Sequence, residues 1–574
     1  MATENTAATG KVRLQYMVRD PVSADDGRDL LEGWDYKATE AMLDGPVCRR
    51  VAVVDIDPDT GAVNAGAPFV PPKKGAKLGR YRIKDPTRPH AADFQQVSVF
   101  GAVMKTMAMF EEADVLGRPL RWAFDGEQLL VVPRAGRMAN AFYHRDSRSL
   151  QFFFFEATVS GADTTVYTCL SPDIVAHETT HAILDGIAPD LYDATSPQAL
   201  GLHEAIADLS AVIFAIRTRR LRLEVLRLSR GDLRNAGAFN EIANHFGAAV
   251  AGDARPLRDL NSGVSFSGQG RRPASHDPHD ISEVLSGALY LLLVKEHDDI
   301  KRAIAAGAGG LEEEEGGQAA GPGDEELYQA SGRALAIAGN KFKRIVFRGL
   351  DYLPPGEISF ADYGRALIAA DTASNPDDDD ARAFIRKEFV RRGIVADAGE
   401  LVSPPPTLAL PADLDLDLLV RSDWSAYQFA EKHREALMIP PNVPFDVRPR
   451  LSVVKTVYRS TGEAETHECL FKVAWRENRT VDQGGGFFDE ISIIYGSTLV
   501  IDRDTGEVRA LLSTSPRHPS QQAEATAANN AMRLAYVADC FDKGLLEIGS
   551  PDVQIQNRTL RLRAMGQMLH MRGH

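Results

Sequence analysis

His177-Glu178-Thr179-Thr180-His181 has the residue types and spacing to hold a metal ion with a base beside it. On a helix, His177 and His181 are four residues apart and project from one face, so both imidazoles can bind one zinc ion. Glu178 then sits about 100° round the helix, beside the metal rather than on it. A catalytic zinc site takes three protein ligands and keeps one position open for water. Downstream, His203-Glu204-Ala205-Ile206-Ala207-Asp208 offers Glu204 as the third ligand, with Asp208 one helical turn beyond. The chemistry of such a set is hydrolysis: the metal polarises a water and Glu178 takes its proton.

Both segments must be helical for this to work. Ser171 can serve as N-cap, Pro172 fits the first helical position, and Asp173 suits the N-terminal dipole. Gly186 can end this helix in a left-handed conformation. A second helix is predicted from Pro197 to Arg217, where Leu202, Ala205, Ile206, Leu209, Val212, Ile213 and Ile216 keep the apolar spacing of a buried helix. Glu204 and Asp208 fall within that apolar surface. A lone buried carboxylate is expensive, and a metal removes the cost.

With these residues in place, the chain resembles the thermolysin-like metallopeptidases of the gluzincin group. The resemblance implies an α+β, two-lobed peptidase core, with a mixed β N-lobe and a mainly helical C-lobe. It implies His177, His181 and Glu204 as ligands of one catalytic zinc, Glu178 as general base, and Asp208 as the carboxylate that orients a ligating histidine. Tyr192, in Asp190-Leu191-Tyr192, matches the family's oxyanion-stabilising tyrosine. Met138-Ala139-Asn140-Ala141-Phe142-Tyr143 is similar to the family's substrate-binding edge strand, where Asn140 and the Ala141 backbone would hold the peptide. Pro256-Leu257-Arg258-Asp259 resembles the segment whose arginine binds a substrate carbonyl, which points to Arg258. Ile174 and Leu257 could line an apolar pocket, so cleavage on the amino side of bulky apolar residues is expected.

The chain departs from the family pattern at three places. Counting back from Ser286-Gly287 puts Glu283 where the family has its transition-state histidine. If Asp280 and Glu283 cap that helix one turn sooner, His279 stands just outside it and can point into the cleft; His276 is the other candidate. The spacing from His181 to Glu204 is three residues longer than in the family's type member, with the extra residues after Tyr192, where insertions are cheap. Asp173 matches one calcium ligand, but Ala215 replaces its partner, so calcium is not expected.

The 574 residues suffice for three or four domains, and 44% apolar with 25% charged residues fits a packed globular protein. The net charge of −15 argues against nucleic acid or an anionic membrane as main partner. No run of about 18 apolar residues is evident, so no membrane span is expected. Leu150–Phe155 reads as a buried strand. The polar start, Met1-Ala2-Thr3-Glu4-Asn5-Thr6, lacks a secretory pattern, and a cytoplasmic location is expected. Cys48, Cys169, Cys469 and Cys540 are scattered and should be free thiols.

Composition divides the chain into a β-rich region 1–92, a peptidase N-lobe 93–186 ending in the zinc-binding helix, a helical C-lobe 187–398, and a linker with an α+β domain over 399–574. The linker is marked by Ser403-Pro404-Pro405-Pro406 and a low-complexity insertion spans 306–326. Val51–Gly61 and Leu499–Gly506 are similar hairpin elements closed by Asp/Gly turns. The reading is a zinc endopeptidase acting on peptides or proteins. A catalytically silent or latent protein-binding module is the alternative, with a partner or self-inhibition through the terminal domains.

Overall fold

The computed structural model describes residues 11–18, 30–72, 78–159, 162–194, 196–235, 241–242, 258–268, 270–306, 325–402, 408–411, 413–479, 491–514, 519–542, 553–556 and 559–562. The N-terminal part runs β1 (Lys11–Met17), β2 (Leu31–Lys37), β3 (Val51–Val53), β4 (Phe69–Val70), β5 (Leu78–Tyr81), α1 (Ala92–Glu111), β6 (Leu129–Val132), β7 (Ala141–His144), β8 (Ser149–Phe152), β9 (Phe154–Val159) and β10 (Ala162–Tyr167). A central helical region follows: α2 (Pro172–Ile187), α3 (Pro197–Ile216), α4 (Arg219–Leu228), the short pair β11 (Glu241–Ile242) and β12 (Arg258–Asp259), then α5 (Pro278–Ala305), α6 (Glu325–Tyr352), α7 (Phe360–Ser374) and α8 (Asp380–Arg391). The C-terminal part holds α9 (Leu416–Arg421), α10 (Asp423–Lys432), β13 (Phe445–Val447), β14 (Leu451–Arg459), β15 (Gly462–Arg479), β16 (Ile491–Asp502), β17 (Val508–Ser513), α11 (Pro519–Asp542), β18 (Val553–Gln556) and β19 (Thr559–Leu562). The fold is mixed α+β: β sheets, then helices, then an antiparallel sheet.

Two N-terminal sheets have the orders β2-β1-β5-β4 and β3-β6-β8-β7. In the second, β7 is an edge strand paired antiparallel with β8, with Tyr143 opposite Leu150. The apolar run 150–155 is not one strand. It breaks at Phe153, whose N–H donates to the Asn140 carbonyl and the Thr168 hydroxyl, so β8 ends and the β9–β10 hairpin begins. The turns at 57–61 and 502–506 share a local design. Asp57 Oδ1 accepts from the N–H groups of Asp59 and Thr60, and Asp502 Oδ1 accepts from those of Asp504 and Thr505. The aspartates that alternate there close Asx turns.

α2 and α3 form the centre of the molecule, packed on each other and on α1 and α5. α3 is long and apolar enough to cross a membrane by length and composition alone, against the sequence expectation; it is wholly buried inside the protein. Gly186 does not end α2. It lies within the helix, where an added Cβ would meet the Arg121 carbonyl at 1.9 Å, so its role is close backbone approach. All four cysteines are free and buried.

The central strands of the C-terminal sheet send successive side chains to opposite faces, and each face packs in a different core. One face, with Cys469, Phe471, Val473 and Trp475, packs in a core with Ala426, Phe429 and Ala430 of α10. The other, with Val453, Leu470 and Val500, joins the main core. Charges are buried at that junction. Arg348 donates to Glu468 at 2.9 Å and Lys455 to Asp351 at 2.8 Å. Lys472 donates to the Leu353 carbonyl, which also accepts from the Thr498 hydroxyl. Burial, with Arg118 and Lys455 close by, pushes the Lys472 ammonium down to about 8 against the pull of Asp351.

The unfolded chain holds that lysine proton to about pH 10.4. Between the two values the unfolded state binds more protons, so stability from this group rises with pH. Lys472→Met should therefore raise the unfolding free energy by about 1–3 kcal/mol at pH 7, since Thr498 still satisfies Leu353. Its advantage over wild type should shrink toward pH 10.5 in urea unfolding; an advantage independent of pH would assign the gain to packing.

Candidate metal centre

Ser171 has the extended backbone of an N-cap, Pro172 occupies the first turn with Asp173, and the Val175 N–H closes that turn on the Ser171 carbonyl. The Ser171 side chain makes no cap bond, so the start of α2 rests on proline and backbone. On α2, His177 and His181 share one face and their Nε2 atoms lie 3.0 Å apart. From α3, Glu204 brings Oε2 to 3.4 Å from His177 Nε2 and Oε1 to 3.7 Å from His181 Nε2. The three ligand atoms lie within 4.8 Å of one another and all three residues are buried. Two imidazoles and a carboxylate converging in a buried space are a donor set that suits a borderline metal such as zinc.

Asp208 lies one turn along α3 and places Oδ1 at 3.0 Å from His177 Nδ1. The same ring thus has a carboxylate at each nitrogen. Burial opposes a charge on His177, but its hydrogen bonds to Asp208 and Glu204 outweigh burial and hold the imidazolium up to about 10. Glu178 reaches β7, where its Oε2 accepts from the Tyr143 N–H at 3.2 Å. The base is therefore held against the sheet edge.

His279 reaches the triad. Its Nε2 is 3.4 Å from Glu204 Oε2, and its Nδ1 is 2.8 Å from Asp277 Oδ1. The helix begins differently from the sequence expectation. Asp277 is the N-cap of α5 and accepts from the His279 N–H, so His279 sits inside the first turn rather than outside the helix. Asp280 and Glu283 do not form the cap; Glu283 pairs with Arg271 at 3.0 Å. Burial opposes ionisation of Asp277, and the bonds from His279 overcome it, holding the carboxyl below its usual range. His276 is exposed.

Tyr192 is buried at the back of the site. Its ring packs edge-on against His203 and Tyr143, and the Arg145 guanidinium lies 4.3 Å above it. Burial pushes its hydroxyl pKa up, so it stays a proton donor. Asn140 is buried as well. Its Oδ1 accepts from the Ala141 N–H, and its carbonyl accepts from Phe153. The edge group aimed at Glu178 is thus the Tyr143 N–H. Arg258 pairs through its backbone with Ile242; its side chain, and Leu257 entirely, lie outside the described residues.

Sequence reasoning missed three contributors. His203 Nδ1 is 2.7 Å from His181 Nδ1. Arg145 binds Asp185 of α2, and also Asp193 and the Pro189 carbonyl, clamping the turn before Tyr192. Tyr143 donates its hydroxyl to Asp185 at 2.8 Å. Only His203 left a signal, its place beside Glu204; the others depend on strand-to-helix packing.

A metal entering this triad must displace the proton that Asp208 and Glu204 hold on His177. Zinc affinity should rise by about tenfold per pH unit for each proton displaced, from pH 6 to 8. Chelator competition across that range checks it, and a pH-independent affinity would count against the triad as ligands. No protein-family model matches the chain, and no curated protein matches it.

Proposed function

We propose that this chain is a zinc-dependent endopeptidase of thermolysin-like type. The observation that carries the reading is the convergence of His177, His181 and Glu204 with a separately held carboxylate, Glu178, bonded to the edge strand β7. A zinc ion bound there supplies Lewis acidity for attack of water on a peptide carbonyl. Glu178 takes the proton of the attacking water and returns it to the leaving amine, so one water is consumed per bond cut. A substrate chain lies along β7 as an added strand. His279, fixed by Asp277, donates to the developing oxyanion, with Tyr192 as the second donor. Arg258 and Asn140 position the peptide, and bulky apolar residues are preferred after the cut. The substrate is a peptide or protein.

Glu178→Gln keeps an acceptor for the Tyr143 N–H and removes the base. It should retain zinc and cut an unfolded protein mixture about 10²–10⁴-fold more slowly. Cut sites read by mass spectrometry, with and without a zinc chelator, check this. Equal cleavage by the two proteins would sink the reading.

A latent form of the same enzyme is favoured by one observation. α11 packs against α3 and buries Arg533, Tyr536, Val537 and Cys540, a helical stripe. Arg533 pairs with Glu357, and Tyr536 lies within the electrostatic reach of Glu204 and Asp277. Loosening this helix with Arg533→Ala should raise turnover of an unfolded substrate about fivefold or more. Unchanged turnover in a folded variant would remove the latent reading.

A further inference from the structure

We infer that His203 sets the tautomer of the ligand His181 by accepting a hydrogen bond from its Nδ1–H, a positioning role resting on the ligand reading above. The two rings are buried and nearly parallel, 17° apart in plane, with centroids 5.0 Å apart. They meet Nδ1 to Nδ1 at 2.7 Å. In a hydrogen bond between two imidazole nitrogens, one carries the hydrogen and the other offers its lone pair. His181 aims Nε2 at His177 and Glu204. If it ligates through Nε2, that atom must keep its lone pair, so the single proton of the neutral ring sits on Nδ1. His203 Nδ1 must then accept, and its own proton sits on Nε2.

The two ligating histidines are therefore supported by different chemistry. His177 is backed by the carboxylate of Asp208 at 3.0 Å, His181 by an imidazole. A carboxylate behind both rings would add a fourth buried acidic group to Glu178, Glu204 and Asp208, all within one space. An imidazole fixes ring orientation without that charge. Placement is also economical: His203 precedes Glu204 on α3, so the helix that carries the third ligand carries the support for the second.

Removing an outer partner of a ligand weakens metal binding by about 10–100-fold. His203→Leu, which cannot accept, should lose zinc affinity by that factor in chelator competition on the full chain. His203→Asn, whose carboxamide oxygen can accept, should stay within a few-fold of wild type. Loaded with cobalt(II), the leucine protein should show a shifted visible spectrum and the asparagine protein a spectrum like wild type. Equal weakening in both variants, or no weakening and an unchanged cobalt spectrum in the leucine protein, would overturn the role. If the leucine protein does not fold, the asparagine protein decides: folded but unable to hold zinc, it overturns the inference. Glu204→Gln separates the two levels. Zinc binding as tight as wild type in that variant means the ligand reading has failed; zinc lost there but kept in His203→Leu means only the His203 role has failed.

Discussion

Glu178, Glu204 and Asp208 are buried within the space between α2, α3 and the sheet edge, and their burial is the constraint that the surrounding structure answers. Each ionised carboxylate removed from water must be compensated. His177 faces two of them, His279 faces Glu204, and the Tyr143 N–H faces Glu178. A divalent cation at the triad would balance what these neutral and shared-proton groups do only in part. The helices are buried so fully because the site needs a dry space, where charge and geometry act strongly.

The His/His/Glu cluster was legible in the sequence because it lives on helical spacing. Four residues separate His177 from His181 and four separate Glu204 from Asp208, and the helix alone places each pair on a face. Helix limits came within a residue or two for α2 and α3 for the same reason. What spacing cannot give is the arrival of a side chain from elsewhere. Arg145 reaches Asp185 and Asp193 only because β7 lies across α2. His279 was named, but its helix was started at the wrong residue, since Asp277 caps what Asp280 and Glu283 suggested equally well in sequence. Gly186 read as a helix terminator because glycine is common there; close packing on residue 121 claims it instead.

The C-terminal part shows a second limit. Alternation in β15 tells which residues share a face, yet it says nothing of what covers each. Leu470 joins the main core, while Phe471, the next residue, lies in a separate core with α10. The charges Lys455, Glu468 and Lys472 lie on the strands next to Arg348 and Asp351 of α6. A burial pattern with charges in it reads as solvent-facing until the partner helix is known. The same part reaches the site's margin, where Arg448 pairs with Asp190 at 2.9 Å in the turn before Tyr192.

Two glycines govern how deep the central helices sit. Gly186 lets α2 touch the backbone at 121, and Gly201 lets α3 approach the start of α5, where a Cβ would come within 3.2 Å of the Pro278 carbonyl. Gly186 lies five residues past His181 and Gly201 three before Glu204, yet neither offers a side-chain atom to the chemistry. A methyl group at Gly186 would leave every ligand in the sequence and force α2 away from the backbone at residue 121; one at Gly201 would press α3 against the start of α5. The reach of His279 to Glu204, and of His181 to His203, depends on atoms that are missing from the chain as much as on those it carries. A lineage could lose this centre by gaining a single carbon that touches none of its ligands.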